Sequence, residues 1–546
     1  MSKTKALTLI ITFIVGACNQ KEHADLIVHN AKIYSVNERL EIFGALVVRD
    51  GKIVALGSEE EILGGYQSKF IVDAGGKPIF PGFIDAHCHF FGYALNLVKS
   101  ADLTGSKSFR EVIERVKKHA EQYPSEWIEG RGWDQNDWEV KEFPAKELLD
   151  SVFPDKPVYL SRIDGHAAVL NSIALKKAGI TARTKVYGGE IHLRNGKPTG
   201  ILIDNAIDKV ARIITHPPPE IQQRALQEAE KNCFMVGLTS VQDAGLGRDT
   251  IELIDKMHRE GSLLIRIYAM ISATSDNLDH FLRQGRYETE RLNVRSFKLY
   301  ADGALGSRGA RMTEPYSDDP GNNGLFMFQP DFYKRICSLA LENGFQVNTH
   351  AIGDEGNRFV LQLYSEFLKD KNDLRWRIEH AQVIHPGDFD LFGKFSVVPS
   401  VQPTHATSDM YWGEERIGKE RMKGAYAYKR LLEENGWLPL GTDFPVENIN
   451  PLYTFYAAVA RKDLTGFPAE GFQMENALTR QEALRGMTIW AAKAAFEENI
   501  KGSLEPGKFA DFIILDQDIM TIPIDSVPQV KVLSTWSGGQ KVYDSR

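Results

Sequence analysis

Cysteine is scarce: four thiols are spread over 546 residues, and only Cys88, Cys233 and Cys337 follow Cys18. An odd, widely spaced set is no disulfide framework, even in an oxidising compartment, and it reads as three buried single thiols. Positive charge is also short. Sixty-five Lys and Arg face 73 Asp and Glu, a net charge of -8, so there is no basic field for nucleic acid and that partner is excluded. The N-terminal apolar run, Ala6 to Val15, is too short to span a bilayer as a stable helix. What remains is 43% hydrophobic and 25% charged, an ordinary globular composition in a chain too long for one small core. One large domain with additions is expected.

The first residues read as a targeting segment. Lys3 and Lys5 precede the apolar run, which has the length of a signal h-region. Val15-Gly16-Ala17-Cys18 resembles a bacterial lipobox. Residues 1–17 are therefore expected to be a lipoprotein signal peptide, cut before a Cys18 that carries the lipid. A plain secretory signal with an incidental cysteine is the alternative. The lipobox reading implies a bacterial cell-envelope protein, held by its lipid anchor at the membrane surface on the periplasmic or extracellular face.

From Asp25 to Ile71 the texture is short β, with Asp50-Gly51 between two apolar runs as a hairpin signal. The same texture returns in GSLEPGKFADFIILDQD and VKVLSTWSGGQKVYD. Residues 18–78 and 500–546 are expected to form one small β-sandwich from both chain ends, with two unrelated β-caps as the alternative. Between them, over 79–499, strand-like and helical segments alternate, which predicts an α/β architecture with a parallel sheet. The strand candidates number eight: PIFPGFIDAHCHF, GLTSVQDAG, LLIRIYAMI, VRSFKLYADGA, FQVNTHAIGD, WRIEHAQVI, FSVVPSVQPTH and PLGTDFPV. Eight suggest a TIM (β/α)8 barrel with its site at the C-terminal strand ends; a doubly wound open sheet is the alternative. A long excursion at about 95–219, after the first barrel strand, has no repeat or low-complexity tract and reads as a substrate-covering insertion.

The chemistry begins at His87 and His89. Side chains two apart on a strand share a face, so both imidazoles leave together, as ligands of a divalent metal such as zinc would. Cys88 points the other way, into the core. Lys298, His350, His380 and Asp443 fall at the ends of later strands. Alone, His350 and His380 are equally well structural histidines, and Lys298 a pocket lysine for an anionic substrate; jointly placed, they describe a catalytic centre.

These residues carry a resemblance. The HxH strand, SRIDGHAAVLNSIAL, FKLYADGALGSRGA, HAIGDEGNR, RIEHAQ and GTDFPV, in that order, resemble the amidohydrolase superfamily, and within it amidohydrolase family 3, which includes N-substituted formamide deformylases. The resemblance covers nearly all of the chain beyond the signal segment. It implies a distorted TIM barrel with a small β-sandwich and metal-dependent hydrolysis. It makes His87, His89, His350 and His380 ligands of one or two divalent ions, most readily zinc. Asp443 becomes the catalytic carboxylate and a ligand, and Lys298 a carboxylated, metal-bridging lysine. His166 is implied near the substrate, to polarise the carbonyl or hold the oxyanion, or else as a loop imidazole that caps or packs. Trp133, Asp134 and Arg308 are further substrate-binding candidates, and Asp302, Arg308 and Arg311 either orient the site or bind a substrate carboxylate, or form a solvated ion-pair cluster.

The expected activity is hydrolysis of carbon-nitrogen bonds of the non-peptide amide type, by metal-activated hydroxide, on a small-molecule substrate. A homodimer is one oligomeric state considered. The alternatives are an ester or lactone hydrolase on the same site, and a lipid-anchored binding protein without turnover.

Overall fold

The structure is a computed structural model that describes residues 21–215 and 217–545; the expected signal segment, residues 1–17, and Cys18 lie outside the described residues. Seven parallel strands run in sequence order through the middle of the chain. They are β1 (Phe83–Cys88), β2 (Leu238–Leu246), β3 (Arg266–Ser272), β4 (Leu292–Tyr300), β5 (Gln346–Ala351), β6 (Arg377–His380) and β7 (Val398–Ser400). Each hydrogen-bonds to the next. Burial explains the parallel arrangement: β1, β5, β6 and β7 are buried at every position, as strands covered on both faces must be. Helices such as Pro219–Met235, Arg248–Arg259 and Asp354–Leu368 supply the cover.

The eighth predicted strand is not a regular one. Leu440 makes a single parallel bridge to Val401. On its other side Ala86 N donates to Leu440 O at 3.1 Å, Asp443 N to His87 O at 2.8 Å and His89 N to Phe444 O at 2.8 Å. The segment thus lies between β7 and β1 and nearly closes the barrel. Extended geometry fails at Asp443, whose φ is 62°. The buried Asp85 carboxylate replaces the missing ladder, accepting from Thr442 Oγ1 at 2.6 Å, Thr442 N at 3.1 Å and His87 N at 3.0 Å.

The two chain ends do come together, but in one curled sheet rather than two packed ones. Its order is Gln540–Asp544, Val532–Ser537, Phe512–Leu515, Ile71–Pro81, Leu26–Tyr34, Ala45–Arg49, Lys52–Gly57. Ile53 N donates to Lys508 O and Ala510 N to Gly51 O, both at 2.9 Å. The sheet therefore folds back around a core that includes Val28, Ile33, Leu46, Ile53, Phe512 and Trp536. Asp50 and Gly51, with φ of 52° and 73°, form the predicted tight turn, which needs left-handed backbone at both positions. A buried ion pair, Arg266 Nε to Asp511 Oδ2 at 2.7 Å, joins this sheet to β3.

The insertion is a folded unit. Six strands, from Ala101–Asp102 to Lys197–Asp204, form one sheet with separate apolar clusters around Leu160 and around Leu202. Cys88, Cys233 and Cys337 are free and buried, as expected. Among the described residues, no helix is long and apolar enough to cross a membrane.

Candidate active site

A cavity of about 720 Å³ opens where the insertion faces the barrel, and a second of about 580 Å³ adjoins it. His89, Arg131, Asp164, His166 and Tyr300 line both. His87 lies one residue before the end of β1 and is fully buried; His89 follows the strand as its chain turns into the helix Phe90–Lys99, and is part-exposed to the cavity. Their carboxylate partner comes from the irregular eighth segment. Asp443 Oδ1 lies 3.3 Å from His89 Nε2 and 3.7 Å from His87 Nε2, and Oδ2 lies 3.3 Å from His405 Nε2.

The histidines form a chain of touching rings. His87 and His380 have centroids 4.9 Å apart, His380 and His350 4.5 Å, and His350 and His166 5.0 Å. His166 Nδ1 is 2.7 Å from Asp204 Oδ1. Burial alone would lower its pKa, but the Asp204 hydrogen bond and charge outweigh burial and raise it. Lys298 Nζ is buried without a hydrogen-bond partner, 4.9 Å from the Tyr300 ring centroid. Burial pushes it down to about 8, against the pull of Glu379 and Asp443.

The sequence-predicted residues His87, His89, Lys298, His350, His380, Asp443 and His166 are therefore brought together. Asp134 also reaches the wall, but its carboxylate is engaged by Arg162 and by Asn136 N. Trp133 is not a wall residue: it is fully buried in the insertion's core, Nε1 donating to Leu160 O at 2.8 Å. On a strand the neighbour of an outward residue points inward, and Asp134 took the outward place. Arg308 does not reach the cavity either, because Asp318 holds its guanidinium at 2.7 Å. Asp302 is buried and accepts from Arg311 N, Ile352 N and Gly353 N, which makes it a loop clamp beside His350.

Two functional candidates were not anticipated. Glu379 Oε2 is 2.6 Å from His87 Nδ1. Burial opposes its ionisation, yet His87, with Arg377 and Lys298, holds it at about 2. Strand alternation would send Glu379 and His380 to opposite faces, but His380 has φ of 76°, which ends the strand and lets both enter the centre. His405, in the helix Pro403–Asp409, bridges Asp443 and Glu447. Burial would lower its pKa, and the two carboxylates raise it to about 10. The signal available was His405's place shortly after β7, at the same C-terminal strand ends where the other candidate ligands lie.

The donor set fits a divalent metal. His87, His89 and Asp443 form one compact group of ligand atoms, and His380, His405 and Asp443 another. His87 Nε2, His380 Nδ1 and Asp443 Oδ1 are buried without hydrogen-bond partners, an arrangement that is costly unless a cation takes them up. Glu379 fixes the His87 tautomer by taking Nδ1–H, which leaves Nε2 as the ligand atom.

Comparison with known proteins agrees with this geometry. A model of the amidohydrolase family matches residues 71–543. The chain is 34% identical over 543 residues to Protein LONG AFTER FAR-RED 3 of Arabidopsis thaliana, covering 95% of this chain and 92% of the relative. It is 27% identical over 551 residues to an N-substituted formamide deformylase of Arthrobacter pascens, covering 95% and 98%. The crystal structure of an uncharacterised metal-dependent hydrolase from Pyrococcus horikoshii superposes with a TM-score of 0.74 at 29% identity, over 91% of this chain and 99% of that one.

Proposed function

The chain belongs to the amidohydrolase family and is a hydrolase; on that premise we propose that it cleaves carbon-nitrogen bonds of the non-peptide amide type in a small molecule, using one or two divalent metal ions, zinc first among them. The observation that carries this reading is the single carboxylate of Asp443, shared between two groups of histidine nitrogens at the end of the barrel. His87, His89, His350, His380 and Asp443 would hold the metal, with His405 a further donor to Asp443. When bound, the metal supplies a stronger water nucleophile at neutral pH and stabilises developing negative charge.

The chain's own residues do the rest. Glu379 keeps His87 in one tautomer. Asp443 accepts the proton of the attacking water and returns it to the departing nitrogen, a step amides need because unprotonated nitrogen leaves poorly. His166, its Nδ1–H directed at Asp204, donates from its other nitrogen to the carbonyl oxygen as charge builds there. A lysine held near 8 offers the neutral amine that carbon dioxide adds to, so Lys298 is proposed to be carboxylated and to act as an anionic oxygen ligand.

The test is a screen of amides and esters on metal-reconstituted protein, with metal content measured in parallel. Amide turnover and loss of metal in the His87→Ala, His89→Ala double variant are expected. Stoichiometric metal retained by the double variant would overturn the ligand assignment, and turnover of esters alone would overturn the amide reading. The cellular location is proposed separately: Cys18→Ser should move the protein from a detergent-requiring fraction to an aqueous one, and a wild type already in the aqueous fraction would exclude the lipid anchor.

A further inference from the structure

Two arginines reach the cavity wall from neighbouring strands of the insertion, and they are partnered very differently. Arg162, at the end of Val158–Arg162, is saturated: Nε donates to Gln135 Oε1 at 2.8 Å, Nη1 to Asp164 Oδ2 at 2.5 Å, and Nη2 to Asp134. Arg131, in Ile128–Trp133, has one hydrogen bond, from Nη2 to Ile163 O at 2.9 Å. Its Nε is buried without a partner, and among the described residues it forms no ion pair. The nearby carboxylates are already committed. Asp164 gives one oxygen to Arg162 and the other to His166 N, and Asp204 accepts from His166.

A guanidinium cannot shed its proton to escape burial. Arg131 therefore keeps a charge that no carboxylate bonds directly, in a half-enclosed site, where an anion placed on its free N–H groups would be favoured. The acidic residues elsewhere on the wall make no direct bond to it: Asp134 and Asp164 share the guanidinium of Arg162, and Asp443 and Glu447 share the imidazole of His405. Arg131 also lies on the stretch of wall common to both cavities, together with His89 and His166. An anion there sits beside the centre where the bond is cut.

We infer that Arg131 anchors an anionic group of the substrate, so that the molecules this site takes are amides carrying a carboxylate, or a comparable oxyanion, a few bonds from the scissile carbonyl. The planar fork of the guanidinium suits a bidentate carboxylate. This substrate class rests on the amide-hydrolase reading above; the anchor itself does not.

The experiment uses ketone isosteres, in which a methylene replaces the amide nitrogen: a series of 4-oxo acids with acyl chains of increasing length, each paired with its primary carboxamide. Affinities for the metal-loaded full chain are read by calorimetry, without turnover. The acid should bind roughly 10- to 100-fold tighter than its carboxamide, the range of a hydrogen bond to a charged group. R131Q, checked for fold and metal content, should lose that ratio while binding the neutral ketone as the wild type does. R131K, which keeps the charge but not the fork, should retain a reduced ratio, and decides the matter if R131Q does not fold. Equal affinities in the wild type, or a ratio unchanged by the substitution, would overturn the anchor. A carboxylate preference that depends on Arg131 in a protein that hydrolyses no amide would instead overturn the amide-hydrolase reading and leave the anchor standing.

Discussion

At the scale of single residues, the candidate centre is a set of imidazoles sorted by their carboxylates. Asp443 faces three histidine nitrogens within 3.7 Å, and the chemical step depends on it. Asp443→Asn keeps the shape and a neutral oxygen but removes the base. The variant is expected to stay folded, retain at least one metal, and lose turnover by roughly two to four orders of magnitude, the range of general acid-base groups. The loss should be larger on an amide than on an activated ester, measured on the same protein. Glu379 acts one step away. Glu379→Gln leaves the fold intact but can present the wrong atom to His87 Nδ1, and metal affinity should fall by roughly 10- to 100-fold in a chelator competition. Side chains that leave a strand's end on its regular period, His87 and His89, were readable in the sequence. Glu379 was not, because its position depends on the left-handed turn of His380, a backbone departure that residue types alone do not announce. Trp133 failed for the complementary reason: an aromatic beside a pocket residue belongs to the opposite face of its strand.

At the scale of elements, seven strands were legible as apolar runs separated by helical periods, since burial on both faces leaves that mark, whereas the insertion was legible only as the span that breaks this alternation, its six-stranded sheet unforeseen. The eighth segment was legible only in part. It carries the apolar residues of a strand but joins its neighbours through one bridge, three backbone hydrogen bonds to β1, and the Asp85 carboxylate. No room is left for a side chain at its centre: a Cβ on Gly441 would lie 2.6 Å from His87 N and 2.8 Å from Asp85 Oδ1. Gly441→Ala is therefore expected to push this segment off β1, at a cost of about 1–3 kcal/mol, and to displace Asp443 from His87 and His89. Metal content should fall together with the thermal midpoint. A variant with wild-type metal content and an unchanged midpoint would show that the segment tolerates the shift.

At the scale of the whole molecule, the barrel and the sheet of the chain ends are fastened by Arg266 and Asp511, both almost fully buried. Removing one partner of such a pair strands the other, so Asp511→Ala should cost about 3–5 kcal/mol. Burial resists the charge on Asp511, but Arg266 outweighs burial and holds the carboxyl below its ordinary range. A folded pKa below the unfolded one gives a contribution complete above pH about 4, and lost as the pH falls through the folded value. The gap in denaturant midpoint between wild type and Asp511→Ala should accordingly be widest at neutral pH and shrink in acid.

The joining of the two termini in one sheet also sets an order of events during synthesis. Ile71–Pro81 pairs on one side with Leu26–Tyr34 and on the other with Phe512–Leu515. While the ribosome is still making the barrel, the second of those edges has no partner to bind. At ordinary elongation rates the wait lasts tens of seconds, during which an open, apolar strand edge is free to pair with another nascent chain.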